Sequence, residues 1–266
     1  MKWAGGKFRL TDDLNRVFPK RKQCLIEPFV GAGAVFLNSH FERYILADIN
    51  PDLINLFNIV KDNVDAYIEA CKPIFFAENA NTAEYYYAQR DAFNQSTDPF
   101  NRSVLFLYLN RFGFNGLCRY NSKNEFNVPF GAYKTHYFPE DELRYFAHKA
   151  QSAVFLCADF QQTFELADKH SVIYCDPPYA PLPQDTNFTG YAGNAFGLEH
   201  QKNLAECAKK AQKEKQISVV ISNHDTKFTR EIYKGAKFKR VKVQRSISQS
   251  SEKRVKVKEL IAIFKG

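Results

Sequence analysis

The sequence contains no apolar run near the roughly 20 residues a membrane-spanning helix requires, and its start, MKWAGGKFRL, has no signal-peptide core. We therefore expect a cytoplasmic protein with no membrane partner. Its six cysteines, Cys24, Cys71, Cys118, Cys157, Cys175 and Cys207, are scattered, without the close pairs that zinc sites and redox motifs use. The expectation is no metal, and reduced thiols that are mostly small buried hydrophobes. Neither an internal repeat nor a low-complexity linker occurs, so the 266 residues suit one sizeable core or a core with an inserted lobe. A complete G-x-G-x-x-G fingerprint is also missing, which weakens a dinucleotide reading.

What is present is unevenly charged. The net charge is +8, but residues 209–266 hold 17 Lys and Arg against 5 Asp and Glu, a net +12, whereas residues 1–208 hold 20 against 24, a net −4. A terminal basic excess points to a polyanionic partner or to a solvated basic face.

Near the start, CLIEPFVGAGAVFLNSHF predicts a strand over 24–29, a glycine turn and a helix beginning near Gly33; YILADIN then predicts a second strand ending on Asp48. That succession opens an open parallel α/β sheet with a nucleoside site. From Pro51 to about Pro139 the pattern becomes helical, in PDLINLFNIVKDNVDAYIEACK, NTAEYYYAQRDAFNQ and PFNRSVLFLYLNRF, followed by a Gly-, Asn- and aromatic-rich segment in which SKN is a hairpin tip. Then α/β alternation resumes, with a helix over 140–151, strands AVFLCAD and SVIYCD, a helix over 198–215, the strand ISVVISN and strands near 238–246 and 255–264. We read residues 1–50 and 140–266 as one α/β domain and 51–139 as an inserted, mainly helical one.

Four places carry chemistry. Glycines in EPFVGAG let the backbone turn sharply and approach a ligand, or simply form a tight turn. Asp48 is placed to accept from ribose hydroxyls; its other use, capping the helix that starts at Pro51, is better served by Asn50. Trp3, the single tryptophan, lies between Lys2 and Lys7 beside a second glycine turn, as a ligand-facing residue or as core filler.

The fourth place is SVIYCDPPYAPL, where a strand ends on Asp176, Pro177, Pro178 and Tyr179. Proline lacks the backbone donor, so the Pro177 carbonyl and the Asp176 carboxylate can face one spot as paired acceptors, with Tyr179 able to stack on a flat ring. An exocyclic amine on a nucleobase fits: two acceptors on its hydrogens direct the lone pair at an electrophile and stabilise the charge developing on nitrogen. A turn with a capping Asp is the plainer reading. Strand alternation turns Cys175 away, so no covalent nucleophile is implied.

In order, KWAGGK, EPFVGAG, YILADIN, YLNRFGFNGLCRYN, EFNVPFG, YCDPPYAPL, NFTGY and ISNHD resemble the Dam-type DNA adenine methyltransferases over nearly the whole chain. The resemblance implies a Rossmann-like methyltransferase open sheet with an inserted target-recognition domain carrying a β-hairpin. It also implies methyl transfer from S-adenosyl-L-methionine to adenine N6 in double-stranded GATC, by base flipping, in a bacterial or phage-infected cell, by a monomer. Trp3, Lys7, Asp48 and Asp176 match cofactor positions, with Phe29, Gly31, Gly33 and Phe160 around them. Asp176, Pro177, Pro178 and Tyr179 match the catalytic pocket.

Lys2, Leu117, Arg119 and Pro129 match base-reading positions, joined on the DNA side by Phe114, Asn115, Asn121, Asn127, Tyr133 and Lys134. An Arg on a hairpin can contact guanine bidentately, Leu117 and Pro129 can meet a thymine methyl, and Phe114 can wedge into the base stack unless it and Phe112 are hairpin core. Two departures stand out: Met1 directly precedes Lys2, leaving that lysine's support open, and Ala132 stands where relatives often have Arg. Two other classes stay open on residues alone: a DNA-binding module without activity and a nicotinamide-type oxidoreductase.

Overall fold

The structure, a computed structural model, describes residues 1–3, 6–180, 196–244 and 256–266. The chain divides into two compact units. A helical unit comprises Met1–Phe8, Gly31–Leu37 and Asn50–Cys157, and a sheet unit comprises Arg9–Val30, Asn38–Ile49 and Ala158–Gly266.

Seven strands are described: β1 (Cys24–Glu27), β2 (Arg43–Asp48), β3 (Ala153–Cys157), β4 (Ser171–Cys175), β5 (Ser218–His224), β6 (Lys237–Gln244) and β7 (Lys256–Phe264). They form one sheet in the order β3-β2-β1-β4-β5-β7-β6. Strand β1 runs parallel to β2 and β4, and β4 parallel to β5, while β7 runs against both of its neighbours. Every residue of β1, β4 and β5 is buried, as expected of central parallel strands covered on both faces. This is the Rossmann-like open sheet that the resemblance implies.

One face of these strands packs on helix α9 (Leu198–Lys215) and on α8 (Phe160–Glu165), with Cys24, Ile26, Ile173, Cys175, Val219 and Ile221 meeting Phe164, Leu204, Ala205 and Ala208. Cys175 is thus core, as strand alternation requires. On the other side Tyr174 meets Phe18 edge to face at 6.0 Å, just past α1 (Thr11–Val17). The basic tail spends part of its charge internally: on β6, Lys239 pairs with Asp13 at 2.8 Å, and Arg240 lies 3.4 Å from Asp225, which also pairs with Arg230 on α10 (Lys227–Ile232).

In the helical unit, α2 (Ala34–Leu37) is followed by α3 (Pro51–Asp62), α4 (Val64–Phe75), α5 (Ala83–Gln95), α6 (Pro99–Phe112) and α7 (Glu140–Ala150). The apolar repeat over 51–72 spans two helices, because Asn63 leaves helical geometry (φ −153°) and its side chain caps α4 by accepting from Ala66 N. Helix α6 starts on an Asp98 cap with Pro99 behind it, and residues 103–110 are buried all round, which makes it the core helix of this unit. Buried tyrosines satisfy their hydroxyls on backbone: Tyr67 donates to Ser103 O, Tyr108 to Ala80 O and Tyr86 to Val128 O.

Candidate active site

In the sheet unit the register decides which residues share the carboxyl edge. Glu27 pairs with Leu46 and Ile26 with Ile173. Continuing that register, Asp48, the last residue of β2, lies level with Phe29 and Asp176, which follow β1 and β4, where the order reverses from β1 to β4. Such a reversal is where open α/β sheets bind ligands. The Phe29 ring stacks on Phe160 at 5.8 Å and 23°, and Phe196 meets both edge-on. Phe160 is the first residue of α8, held by a capping box between Asp159 and Gln162. Asp48 is half-buried and its carbonyl accepts from Ala158 N. The cap of α3 is Asn50, whose Oδ1 accepts from Asp52 N and Leu53 N, so capping does not account for Asp48.

The tetrapeptide after β4 is fixed from behind. Gln201 on α9 donates to the Pro178 carbonyl at 2.7 Å. Asn223 on β5 accepts from Ala180 N at 3.0 Å, and His224 Nδ1 donates to the Ala180 carbonyl at 2.7 Å. Asn223 donates in turn to Gln201 Oε1 and to the Tyr233 hydroxyl, and both amide side chains are fully buried. Pro177 is buried, while Asp176 and Tyr179 are half-buried. Tyr179 donates to Glu259 Oε2 at 3.0 Å. Burial, with the charges of Asp176 and Glu259, pushes the Tyr179 phenol well above its ordinary pKa, so it remains a donor.

In the helical unit, Trp3 lies against Gly31, where a β-carbon would come within 2.8 Å of the indole nitrogen; with φ +48°, only glycine suits that position. Gly33 also has positive φ (73°), and Lys7 is buried. Lys2 is well supported. Its backbone exchanges hydrogen bonds with the buried Asn110, and its ammonium donates to Arg111 O and lies 3.8 Å over the Tyr133 ring. Burial and the nearby Arg111 lower the Lys2 pKa.

The hairpin is present with Ser122, Lys123 and Asn124 at its turn, but its ladder is reduced to two isolated bridges, Gly113 with Phe130 and Tyr120 with Phe126. Asn121 closes the turn by accepting from Lys123 N and Glu125 N. Inward residues anchor it: Phe126 is buried against Phe93 and Phe106, and Asn94 brackets its backbone with two hydrogen bonds. Tyr120 donates at 2.7 Å to Asp52, which also forms a two-pronged pair with Arg102. Arg119 faces outward, with Nε on Asn127 Oδ1 at 2.7 Å and Nη2 on Asn127 O at 3.0 Å. Pro129, Asn115 and Lys134 are exposed and Leu117 is half-exposed. Phe112 is core, but Phe114 is 46% exposed.

These features fit one known family. The model of the D12 class N6 adenine-specific DNA methyltransferases matches residues 3–247. This chain belongs to that family. A DNA adenine methylase of Haemophilus influenzae is 83% identical over 264 residues, covering 99% of this chain and 92% of that protein. Those of Escherichia coli K12 and Vibrio cholerae are each 58% identical, covering 100% and 99% of this chain and 94% and 95% of their own lengths. As a Dam-type member, the chain is an adenine-specific DNA methyltransferase, and DNA is its substrate. Among the described residues no acidic, His or Cys group could hold a metal ion, and no helix is long and apolar enough to cross a membrane.

Gln201, Asn223 and Glu259 were not singled out from sequence as site residues. A buried glutamine at the inner edge of an otherwise apolar α9 stripe was the available signal. Their tie to the loop spans 23, 43 and 80 residues of chain, a separation no local pattern expresses. Ala4, Gly5, NFTGY and residues 245–255 of the basic tail lie outside the described residues.

Proposed function

We propose that the methyl donor is S-adenosyl-L-methionine and the target is N6 of adenine in double-stranded GATC, turned out of the duplex and methylated directly by a monomer. The observation that carries this reading is the level row of Asp48, Phe29 and Asp176 at the switch in strand order.

The donor set there suits the cofactor: a carboxylate for ribose hydroxyls at Asp48 and a stacked aromatic pair, Phe29 and Phe160, for its adenine. Trp3, Lys7, Gly31 and Gly33 are assigned to the same ligand. When bound, the cofactor supplies a methyl group on a sulfonium. Asp176 and the Pro177 carbonyl accept the two amine hydrogens of the target base and direct its lone pair, and Tyr179 stacks on the ring. The proton leaving the alkylated nitrogen goes to Asp176 or to water. No strong base is needed, because that nitrogen is acidic.

We assign residues 51–139 to target recognition and residues 1–50 and 140–266 to catalysis. Arg119, braced by Asn127, reads guanine. Leu117 and Pro129 meet a thymine methyl, Phe114 wedges into the stack, and Lys2, Asn115, Asn121, Tyr133 and Lys134 complete the contact. Incubation with labelled S-adenosylmethionine and a GATC duplex should label adenine and protect the site from a methylation-sensitive nuclease. Label in a GTTC control but not in GATC would sink the sequence assignment, and no label in any duplex would favour a binding module without activity.

A further inference from the structure

The segment after β4 is tied at four successive polar points by side chains of three elements. Gln201 from α9 holds the Pro178 carbonyl, Glu259 from β7 holds the Tyr179 hydroxyl, and Asn223 and His224 from β5 hold the amide and carbonyl of Ala180. Glu259 and His224 are directly opposed in the antiparallel ladder of β5 and β7, so Tyr179 is gripped by one cross-strand pair. The His224 ring meets the Tyr179 ring at 4.8 Å and 81°, and Glu259 takes the far end of the same ring. A tyrosine has two side-chain torsions; an anchor at its tip and a perpendicular ring at its side leave it one orientation. A turn that merely ended a strand would be satisfied by its own backbone and by solvent.

We propose that Glu259 is a positioning residue that sets the plane of Tyr179 against the target base, with Gln201 and Asn223 fixing the backbone from which that ring projects. This rests on the reading of Tyr179 given under Proposed function. Glu259 touches no reacting atom in this scheme; it acts through the ring.

The test compares Glu259→Leu, Glu259→Gln, Tyr179→Phe, the Leu/Phe double variant and Tyr179→Ala in the full-length protein, each with a melting curve to establish folding. Glu259→Leu should lower kcat about tenfold while leaving KM for DNA and cofactor within about twofold, because a misaligned contact acts on the turnover step. Glu259→Gln should restore most of the rate, since its amide oxygen still accepts. Tyr179→Phe should match Glu259→Leu, and the double variant should be no slower than either single one. With 2-aminopurine in place of the target adenine, Glu259→Leu should give brighter emission than wild type, because the turned-out base is less well stacked. Wild-type kcat in Glu259→Leu, or losses that multiply in the double variant, would overturn the proposal. Tyr179→Ala at full turnover would instead defeat the catalytic reading of the loop, an outcome distinct from an inert Glu259 beside an essential Tyr179.

Discussion

The loop after β4 and the hairpin between α6 and α7 are both irregular backbone carrying exposed functional groups, yet they are held by opposite means. Behind the loop stand buried amides and a carboxylate, each with a defined partner and direction. Beneath the hairpin stand Phe126 and Val128, nearly inaccessible to solvent, with Tyr120 and Asn94 supplying the polar ties. Hydrogen bonds fix angles and apolar contacts fix depth. The difference teaches that the loop is built for orientation at one point. The hairpin is built to keep a surface in place while its outward residues, at alternate positions, remain free to differ.

The contrast can be broken first at Asp176. Asp176→Ala should cut turnover on the order of a thousandfold, as removal of a group acting on developing charge does, with DNA affinity in a gel-shift titration changed little. Equal loss of both would mean the loop is a structural element like the hairpin.

Next in size is Phe126→Ala, expected to cost about 3–4 kcal/mol in urea denaturation and to speed hydrogen exchange over residues 119–127, against about 1 kcal/mol for Tyr120→Phe. A reversed ranking would make the polar tie to Asp52 the true anchor. Arg119→Ala should remove about 1–3 kcal/mol of discrimination at one base pair, read from rates on GATC and singly substituted duplexes. A uniform loss across sequences would make it a phosphate contact. The smallest effect is Ala132→Gly: Ala132 sits at φ +48°, a left-handed position, so glycine should stabilise by about 0.5–1 kcal/mol in a melting experiment.

How much of this was legible in the sequence follows from the range of the interactions. Helix α9 was visible through its apolar stripe, and α6 through its Asp98-Pro99 start and continuous apolar run, all of them local signals. The break at Asn63 was not, because both sides share one repeat and only a capping side chain separates them. Helices α1, α8 and α10 are too short for a stripe and declare themselves only through caps and packing. At the site, Asp48 and Asp176 were readable as acids ending apolar strands. Their common level with Phe29 required the pairing register, and the grip on Tyr179 required β7 to lie beside β5.

The close approach of Trp3 to Gly31 has an optical consequence. With one tryptophan among 266 residues, the protein's red-edge emission comes from a single indole whose nitrogen borders the glycine turn after β1. Excited beyond the tyrosine absorption, the emission therefore reports on the surroundings of that one turn, and a ligand or a Gly31→Ala change that displaces the indole registers as a spectral shift without any added label.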